Sequence, residues 1–383
     1  MRILVTGGAG FIGSHLTERL LSQGHSVHIV DDFSTGRIEN IAHLLPDPRL
    51  AFDQADIVSW DGLPAAAAAA DQIYHLAAVV GVRRVLSDPI QVMTTNIVGT
   101  ERLLRAVARA ERPPRVLLAS TSEVYGFNGR PTQSETDELT YKAGNWTRWS
   151  YAVTKLASEH FAHAYTREHK LPICTVRFFN MVGPRQRGEY GMVLPNFIRQ
   201  ATRGLPMTVF GDGTQTRSFC DVRDGVSMIT QIAAVDMSPG EVFNLGHDQE
   251  ISINDLAALV RRRANSSSVI NHVSYADGYS EHFDDIARRR PDLTRLRALI
   301  DFAPRWTLAQ TIDDLITRER QSIVARPHPS STSQHAPPTE SARDLSHLAA
   351  IAGTATTPRG SRLPVLSAGL ALSRGAKLGG FDD

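Results

Sequence analysis

The chain is 383 residues long with a mass of 42.0 kDa, too large for one small module and in the range of one large or two fused domains. Its 41 Lys and Arg nearly balance 40 Asp and Glu, and a net charge of +1 excludes an electrostatic grip on nucleic acid or an anionic membrane. Hydrophobic residues make up 42%, enough for a sizeable core, while two cysteines, Cys174 and Cys220, are too few for a disulfide framework or thiolate metal cluster. No apolar run is long enough to span a bilayer, and the first residues already read as a buried strand rather than a signal peptide. A soluble cytoplasmic protein without a metal site is expected.

From residue 1 to about 180, short apolar runs alternate with helical patterns. The runs are Ile3–Thr6, Val27–Val30, Ile73–Leu76, Val116–Ala119 and Ile173–Arg177; the helical patterns cover Ile12–Gln23, Asn96–Ala110 and Tyr151–His169. This alternation predicts an α/β fold with a doubly wound parallel sheet covered on both faces. The alanine run 65–70 reads as a surface helix without chemical interest. Gly and Pro become frequent from Gly183 to Gly213, and helices are predicted over Leu194–Arg203, Val222–Ala234 and Ile253–Arg263. Residues 181–325 therefore read as a smaller C-terminal α/β domain beside a first domain of 1–180. Beyond them, 326–383 is rich in Ser, Pro and small residues and is expected to be a disordered tail.

The first strand runs straight into Thr6-Gly7-Gly8-Ala9-Gly10-Phe11-Ile12-Gly13, with glycines at G-x-x-G-x-x-G spacing before a helix. In a Rossmann-type βαβ unit, Gly7 permits the tight turn, Gly10 lets backbone approach a pyrophosphate, and Gly13 lets helix and strand pack closely. Phe11 and Ile12 open that helix. The second strand ends in Asp31-Asp32, where a carboxylate hydrogen-bonds an adenosine ribose and repels a 2′-phosphate, so the expected cofactor is NAD rather than NADP. Asp56-Ile57 would flank the adenine, and Ala77-Ala78 would pass close to the cofactor.

Tyr151 and Lys155 stand four residues apart, on one face of a helix. A free phenol is a poor base at neutral pH, and a neighbouring ammonium is expected to lower its pKa, so that Tyr151 takes a proton from a sugar hydroxyl while Lys155 also binds the nicotinamide ribose. The strand Val116–Ala119 leads into Ser120-Thr121-Ser122-Glu123, presenting hydroxyls at the strand edge where ligands of open α/β sheets bind. Thr121 can hydrogen-bond the reacting oxygen and relay its proton to Tyr151.

With these motifs the chain resembles, over roughly residues 1–320, an extended short-chain dehydrogenase/reductase of the nucleotide-sugar epimerase/dehydratase/decarboxylase family. The resemblance rests on Asp71–Ala78, Ser120–Gly126, Tyr151–Lys155, Arg177-Phe-Phe-Asn180, Gly183-Pro-Arg185 and Gly211–Arg217. It implies that Asn96 helps hold the active-site helix and that Phe178 lies near the nicotinamide. It implies that Asn180 contacts the substrate diphosphate, and that Pro195, Asn196, Thr208 and Phe210 belong to the segments lining the nucleotide-base pocket. Arg217 and one of Arg289 or Arg290, with Arg290 preferred, would clamp the diphosphate, a role suited to guanidinium forks.

Family members share oxidation at C4 of the sugar and differ in the fate of the resulting ketone. The acid that precedes the glutamate in dehydratases is missing at Ser122-Glu123, which disfavours loss of water. Thr121-Ser122-Glu123 resembles UDP-glucuronate decarboxylases and some epimerases, whereas Ala152-Val153 after the tyrosine and the run Gly183–Gly191 look epimerase-like. The reading therefore favours a UDP-sugar 4-epimerase, with Glu123 among its catalytic residues. Uronate decarboxylase comes second, then dehydratase, and a non-catalytic NAD-binding relative last. Arg185 and Arg187 could hold a C6 carboxylate or only their loop. The long segment between Gly126 and Trp149 is expected to form part of a substrate lid, packed by or stacking through Trp146 and Trp149. His75 reads as structural. By resemblance, the helices Asn96–Ala110 and Tyr151–His169 would pair with their copies in a homodimer.

Overall fold

A computed structural model describes residues 1–141, 146–235, 239–278 and 285–325, all within a unit spanning Met1–His328. The expected tail, 326–383, lies outside the described residues, as do Gly144 and Asn145 of the long loop. The first half of the chain supplies β1 (Arg2–Thr6), α1 (Phe11–Ser22), β2 (Ser26–Asp31), β3 (Leu50–Gln54), α2 (Leu63–Ala69), β4 (Gln72–His75), α3 (Val82–Ser87), α4 (Pro89–Ala108), β5 (Arg115–Thr121), α5 (Trp146–His169) and β6 (Ile173–Phe178). The second half adds β7 (Met181–Val182), α6 (Val193–Thr202), β8 (Met207–Phe210), β9 (Thr216–Ser218), β10 (Cys220–Asp221), α7 (Val222–Ala234), β11 (Val242–Leu245), β12 (Glu250–Ser252), α8 (Ile253–Arg263), β13 (Ile270–Val273), α9 (Tyr275–Gly278), β14 (Arg288–Arg289), α10 (Thr294–Leu299) and α11 (Leu308–Ala325).

Seven parallel strands form the main sheet in the order β11-β6-β5-β4-β1-β2-β3. Helices cover both faces, so its central strands are near-continuous apolar runs, as in Ile3, Leu4 and Val5, each no more than 2% exposed. The order reverses between β1 and β4, so a crevice opens beyond their carboxyl ends.

Helix α4 begins at Pro89, seven residues before the expected start. Pro89 occupies the first turn, where its missing N–H costs nothing, and Asp88 caps the helix by accepting from the Gln91 amide at 3.1 Å. The alanine-rich α2 has an inner face, with Leu63, Ala66 and Ala67 buried in the core beneath β4 and β5.

The chain path crosses the expected boundary at 180. α7 packs on α1, β11 joins the edge of the main sheet, and Val222, Val226, Ile229 and Leu245 share a core with Ile3 and Leu16. A separate core gathers Leu194, Phe197, Met207, Val209, Leu256, Val260 and Ile312 from α6, β8, α8 and α11. We therefore propose that the substrate-side unit consists of this second core and its small sheets, with α7 and β11 belonging to the first.

The β1–α1 turn depends on two glycines. Gly7 has φ +74°, a left-handed conformation, and a Cβ there would meet the Ala77 amide nitrogen at 2.8 Å. A methyl at Gly13 would overlap the Gly7 carbonyl oxygen. Gly13→Ala should lower the stability of the protein by about 3 kcal/mol, read as a drop in the urea midpoint, because backbone rather than a mobile side chain must move. An unchanged midpoint would show that the turn can relax.

Candidate active site

The carboxyl ends of β1, β2, β4 and β5 open onto a groove of about 860 Å³. Gly7, Gly10, Phe11, Ile12 and Gly13 form its floor, Asp31 and Asp32 one end, and Asp56, Ile57, Ala77 and Ala78 further walls. Ser34, Thr35 and Val80, which the sequence did not single out, also line it. The cradle fits a dinucleotide, since backbone is bared where side chains at Gly7 and Gly13 would clash, and the amino end of α1 faces the groove. The two aspartates differ. Asp31 is buried and accepts from the Ala9 amide at 3.0 Å and the Phe33 amide at 2.9 Å, tying the glycine loop to β2. Loss of water raises its carboxyl above the ordinary range despite these donors. Asp32 is exposed and holds the Ser34 amide.

Asn96 does not line the groove. It is 1% exposed on α4, where its side-chain oxygen accepts from the Val79 amide at 2.8 Å and its nitrogen donates to Val79 O and Thr154 Oγ1. It thus ties the loop after β4 to α5. Phe178 ends β6, opposite Thr121 in register and partly buried in the core.

Tyr151 packs against Val79, Val85 and Val92, and its phenol is hydrogen-bonded with Thr121. Lys155 is 2% exposed, and its ammonium donates to Ala119 O at 2.9 Å. The expected lowering of the phenol by the lysine is corrected. Burial pushes Tyr151 up, the Glu123 charge adds to the rise, and the Thr121 bond and the Arg289 charge oppose it. Burial also lowers Lys155, to about 8. Desolvation outweighs the pairwise attraction that i, i+4 spacing suggests, and the lysine spends a proton on backbone.

His75 is neutral, since burial and the nearby Lys155 charge bring it down to about 3, and its ring bridges Thr6 Oγ1 at 2.7 Å and Thr100 Oγ1 at 3.0 Å. Among the described residues no group of three or more His, Cys, Asp and Glu side chains could hold a metal ion.

On the substrate side, Arg289 rather than Arg290 reaches the reacting end. Alternation along β14 puts Arg288 on Glu250 and turns Arg289 the other way, where it pairs with Glu123 and donates to Asn180 Oδ1 at 2.9 Å. Arg290 contributes backbone instead, its amide donating to Gln133 Oε1 and its carbonyl accepting from the Gln133 amide, both at 2.8 Å. Gln133, 3% exposed, also donates to Arg288 O, and its own carbonyl accepts from Asp292, so the loop after Gly126 clasps the strand on both sides of Arg289. Nothing in the residue type of Gln133 announced this; only the fold brings 133 to 290.

Arg217 lies beside Arg289 in register and is held by Asp285 at 2.7 Å and by the Thr216 and Ile286 carbonyls. Asp285 also accepts from the Tyr275 hydroxyl, and Tyr275 stacks on Phe210 with centroids 6.4 Å apart. A line of interactions thus runs from the phenol, which feels the Glu123 charge, through Arg289, Arg217, Asp285 and Tyr275 to Phe210. Thr208 pairs with Gln200, and Asn196, next to Pro195 at the start of α6, spends its amide on the Gly188 and Met192 carbonyls. Of the two arginines offered for a carboxylate, Arg185 reaches Glu18 on α1 at 2.9 Å and Arg187 pairs with Glu189. Trp149 packs its loop, edge-on to Phe127 and Tyr141.

Known proteins share this fold. The model of the NAD dependent epimerase/dehydratase family matches residues 3–246. A UDP-N-acetyl-alpha-D-glucosaminuronate decarboxylase of Bacillus cytotoxicus is 38% identical over 317 residues, 82% of this chain and 96% of that protein. UDP-glucuronic acid decarboxylase 1 of Xenopus tropicalis is 35% identical over 84% of this chain and 73% of its own. The crystal structure of UDP-glucuronic acid 4-epimerase from Bacillus cereus, in complex with UDP-glucuronic acid and NAD, is 31% identical with a TM-score of 0.76, covering 84% of this chain and all of that one. A family model matched across the whole main sheet, with relatives this similar along most of the chain, makes the protein a member of the NAD-dependent epimerase/dehydratase family with NAD as its cofactor.

Proposed function

We propose that the protein is a UDP-hexuronate decarboxylase, and the observation that carries this reading is the Glu123–Arg289 pair beside Tyr151. Bound NAD supplies the hydride acceptor for C4 of the sugar and the donor that later reduces it. Tyr151, hydrogen-bonded with Thr121, takes the proton of the C4 hydroxyl, and the Lys155 ammonium favours the resulting phenolate. We place Glu123, whose charge acts on Tyr151, beside the substituent of the neighbouring carbon C5 of the bound sugar. In a 4-keto hexuronate the C5–C6 bond can break, its electron pair passing into the ketone as an enolate while carbon dioxide leaves, after which C5 takes a proton. Glu123 places negative charge where the departing carboxylate loses its own, so the ground state is raised relative to the transition state. Arg289 pairs with Glu123, and Asn180 fixes the other arm of Arg289. An epimerase acting on a uronate must retain the carboxylate through the ketone stage, for which a facing carboxylate is unfavourable.

The decarboxylases among the relatives support this reading over the epimerase that the sequence favoured. UDP-uronate 4-epimerase is the second reading, supported by the likeness to the Bacillus cereus enzyme and by Ala152-Val153 after the tyrosine.

Product masses separate the two after incubation with UDP-glucuronate and UDP-N-acetylglucosaminuronate. Loss of carbon dioxide is expected, and a new stereoisomer of unchanged mass would overturn the decarboxylase in favour of the epimerase. Tyr151→Phe should abolish either product while NAD binding persists. Glu123→Gln should lower kcat about 100-fold with KM unchanged or reduced, the signature of lost ground-state strain; an unchanged kcat would remove Glu123 from the chemistry. We also propose a homodimer through α4 and α5, which pack on each other and leave Ile90 at 78%, Met93 at 41% and Val153 at 42% exposed. Light scattering should give twice the chain mass and Ile90→Asp a monomer; a monomeric parent protein at micromolar concentration would refute the pairing.

A further inference from the structure

We infer that Glu159 is a positioning residue that sets the charge of Lys155, anchored for that purpose by Arg177 and Ser120. The inference rests on the reading of Lys155 as the ammonium behind Tyr151, and is independent of which product leaves. Tyr151, Lys155 and Glu159 succeed one another at four-residue steps, so they line one stripe of α5. Glu159 is 9% exposed and fully engaged. One carboxylate oxygen accepts from Ser120 Oγ and from Arg177 Nε at 3.0 Å, and the other from Arg177 Nη2 at 2.7 Å. Arg177, on β6, lies over the Tyr125 ring at 4.8 Å, and Tyr125 donates to Asn244 at 2.6 Å. The carboxylate is thus locked by two strands of the main sheet and cannot swing away from the helix stripe it shares with Lys155.

The other groups facing Lys155 give it little help in holding a proton. From β4 comes neutral His75 and from β5 the Ala119 carbonyl, while the α4 side chains Asn96 and Thr100, bonded to Thr154 and Ser158 on either side of the lysine, are uncharged. Burial lowers the ammonium, and Glu159 is the charge that raises it again. Through the same bonds Ser120 ties the strand end that presents Thr121 to the helix that presents Tyr151.

The chain has four lysines, Lys142, Lys155, Lys170 and Lys377, so a sample carrying 13C at the lysine ε-carbons gives four resonances whose titration can be followed singly. Lys155→Met assigns the signal. In Glu159→Gln the Lys155 midpoint should fall by about one pH unit or more relative to the parent protein. Because this variant leaves Arg177 buried opposite a neutral group and can fail to fold, Glu159→Gln with Arg177→Met is the companion, and it should shift the midpoint in the same direction. A midpoint within about 0.3 units of the parent in a folded variant overturns the inference, whatever happens to turnover. Full turnover by Lys155→Met would instead defeat the underlying reading of the lysine.

Discussion

An ammonium ion buried at the carboxyl edge of a parallel sheet is the constraint around which this site is arranged. Lys155 is 2% exposed, and removing such a group from water is costly unless partners replace the lost hydration. The partners come from separate elements: the Ala119 carbonyl at the end of β5 and the charge of Glu159 one turn along α5. Asn96 joins the loop after β4 to Thr154, the residue before the lysine, and so fixes where α5 runs. The strand ends, the helix stripe and the loop can therefore be satisfied together in one relative placement, which also brings Thr121 to Tyr151. The geometry of the reacting pair is in this sense a consequence of solvating a buried charge without water.

The cofactor half of the site was legible because its chemistry is local. The glycine turn, Asp31 and Ala77-Ala78 each lie within a few residues of a strand end, and the apolar runs located those ends. Helices α7 and α8 were likewise placed correctly at both ends, since Asp221 and Ser252 cap them just before the apolar period begins. The substrate half was less legible. Choosing between Arg289 and Arg290 needs the pleat of β14 and a partner 166 positions away, Glu123. The clasp by Gln133 needs a loop without periodicity to pair as if it were a strand. The direction of the Tyr151 shift is hidden from the sequence for a related reason: spacing reveals which charges are neighbours but not how much water has been excluded.

Fold alone does not select the product, since epimerases and a dehydratase share it with comparable TM-scores. The discriminating features are few and lie on one side of the phenol. Arg185 and Arg187, the cations first considered for a substrate carboxylate, are engaged with Glu18 and Glu189. The cation that does stand near the phenol, Arg289, is already matched by Glu123. For the proposed decarboxylase, a carboxylate entering there would gain little net positive charge, which favours its leaving as neutral carbon dioxide.

Two opposed electrostatic arms thus meet at Tyr151. Behind it, in the proposed mechanism, Lys155 with its charge supported by Glu159 favours the phenolate; in front, Glu123 raises the phenol and favours the protonated form. Either arm alone would bias the group toward one state. A residue that takes a proton when C4 is oxidised must give one back when C4 is reduced, and it does both best when neither state lies far below the other. Each arm is also an ion pair with an arginine from a different part of the chain, Arg177 on β6 and Arg289 on β14. The balance at the phenol is consequently set by tertiary structure rather than by the Tyr–Lys spacing alone.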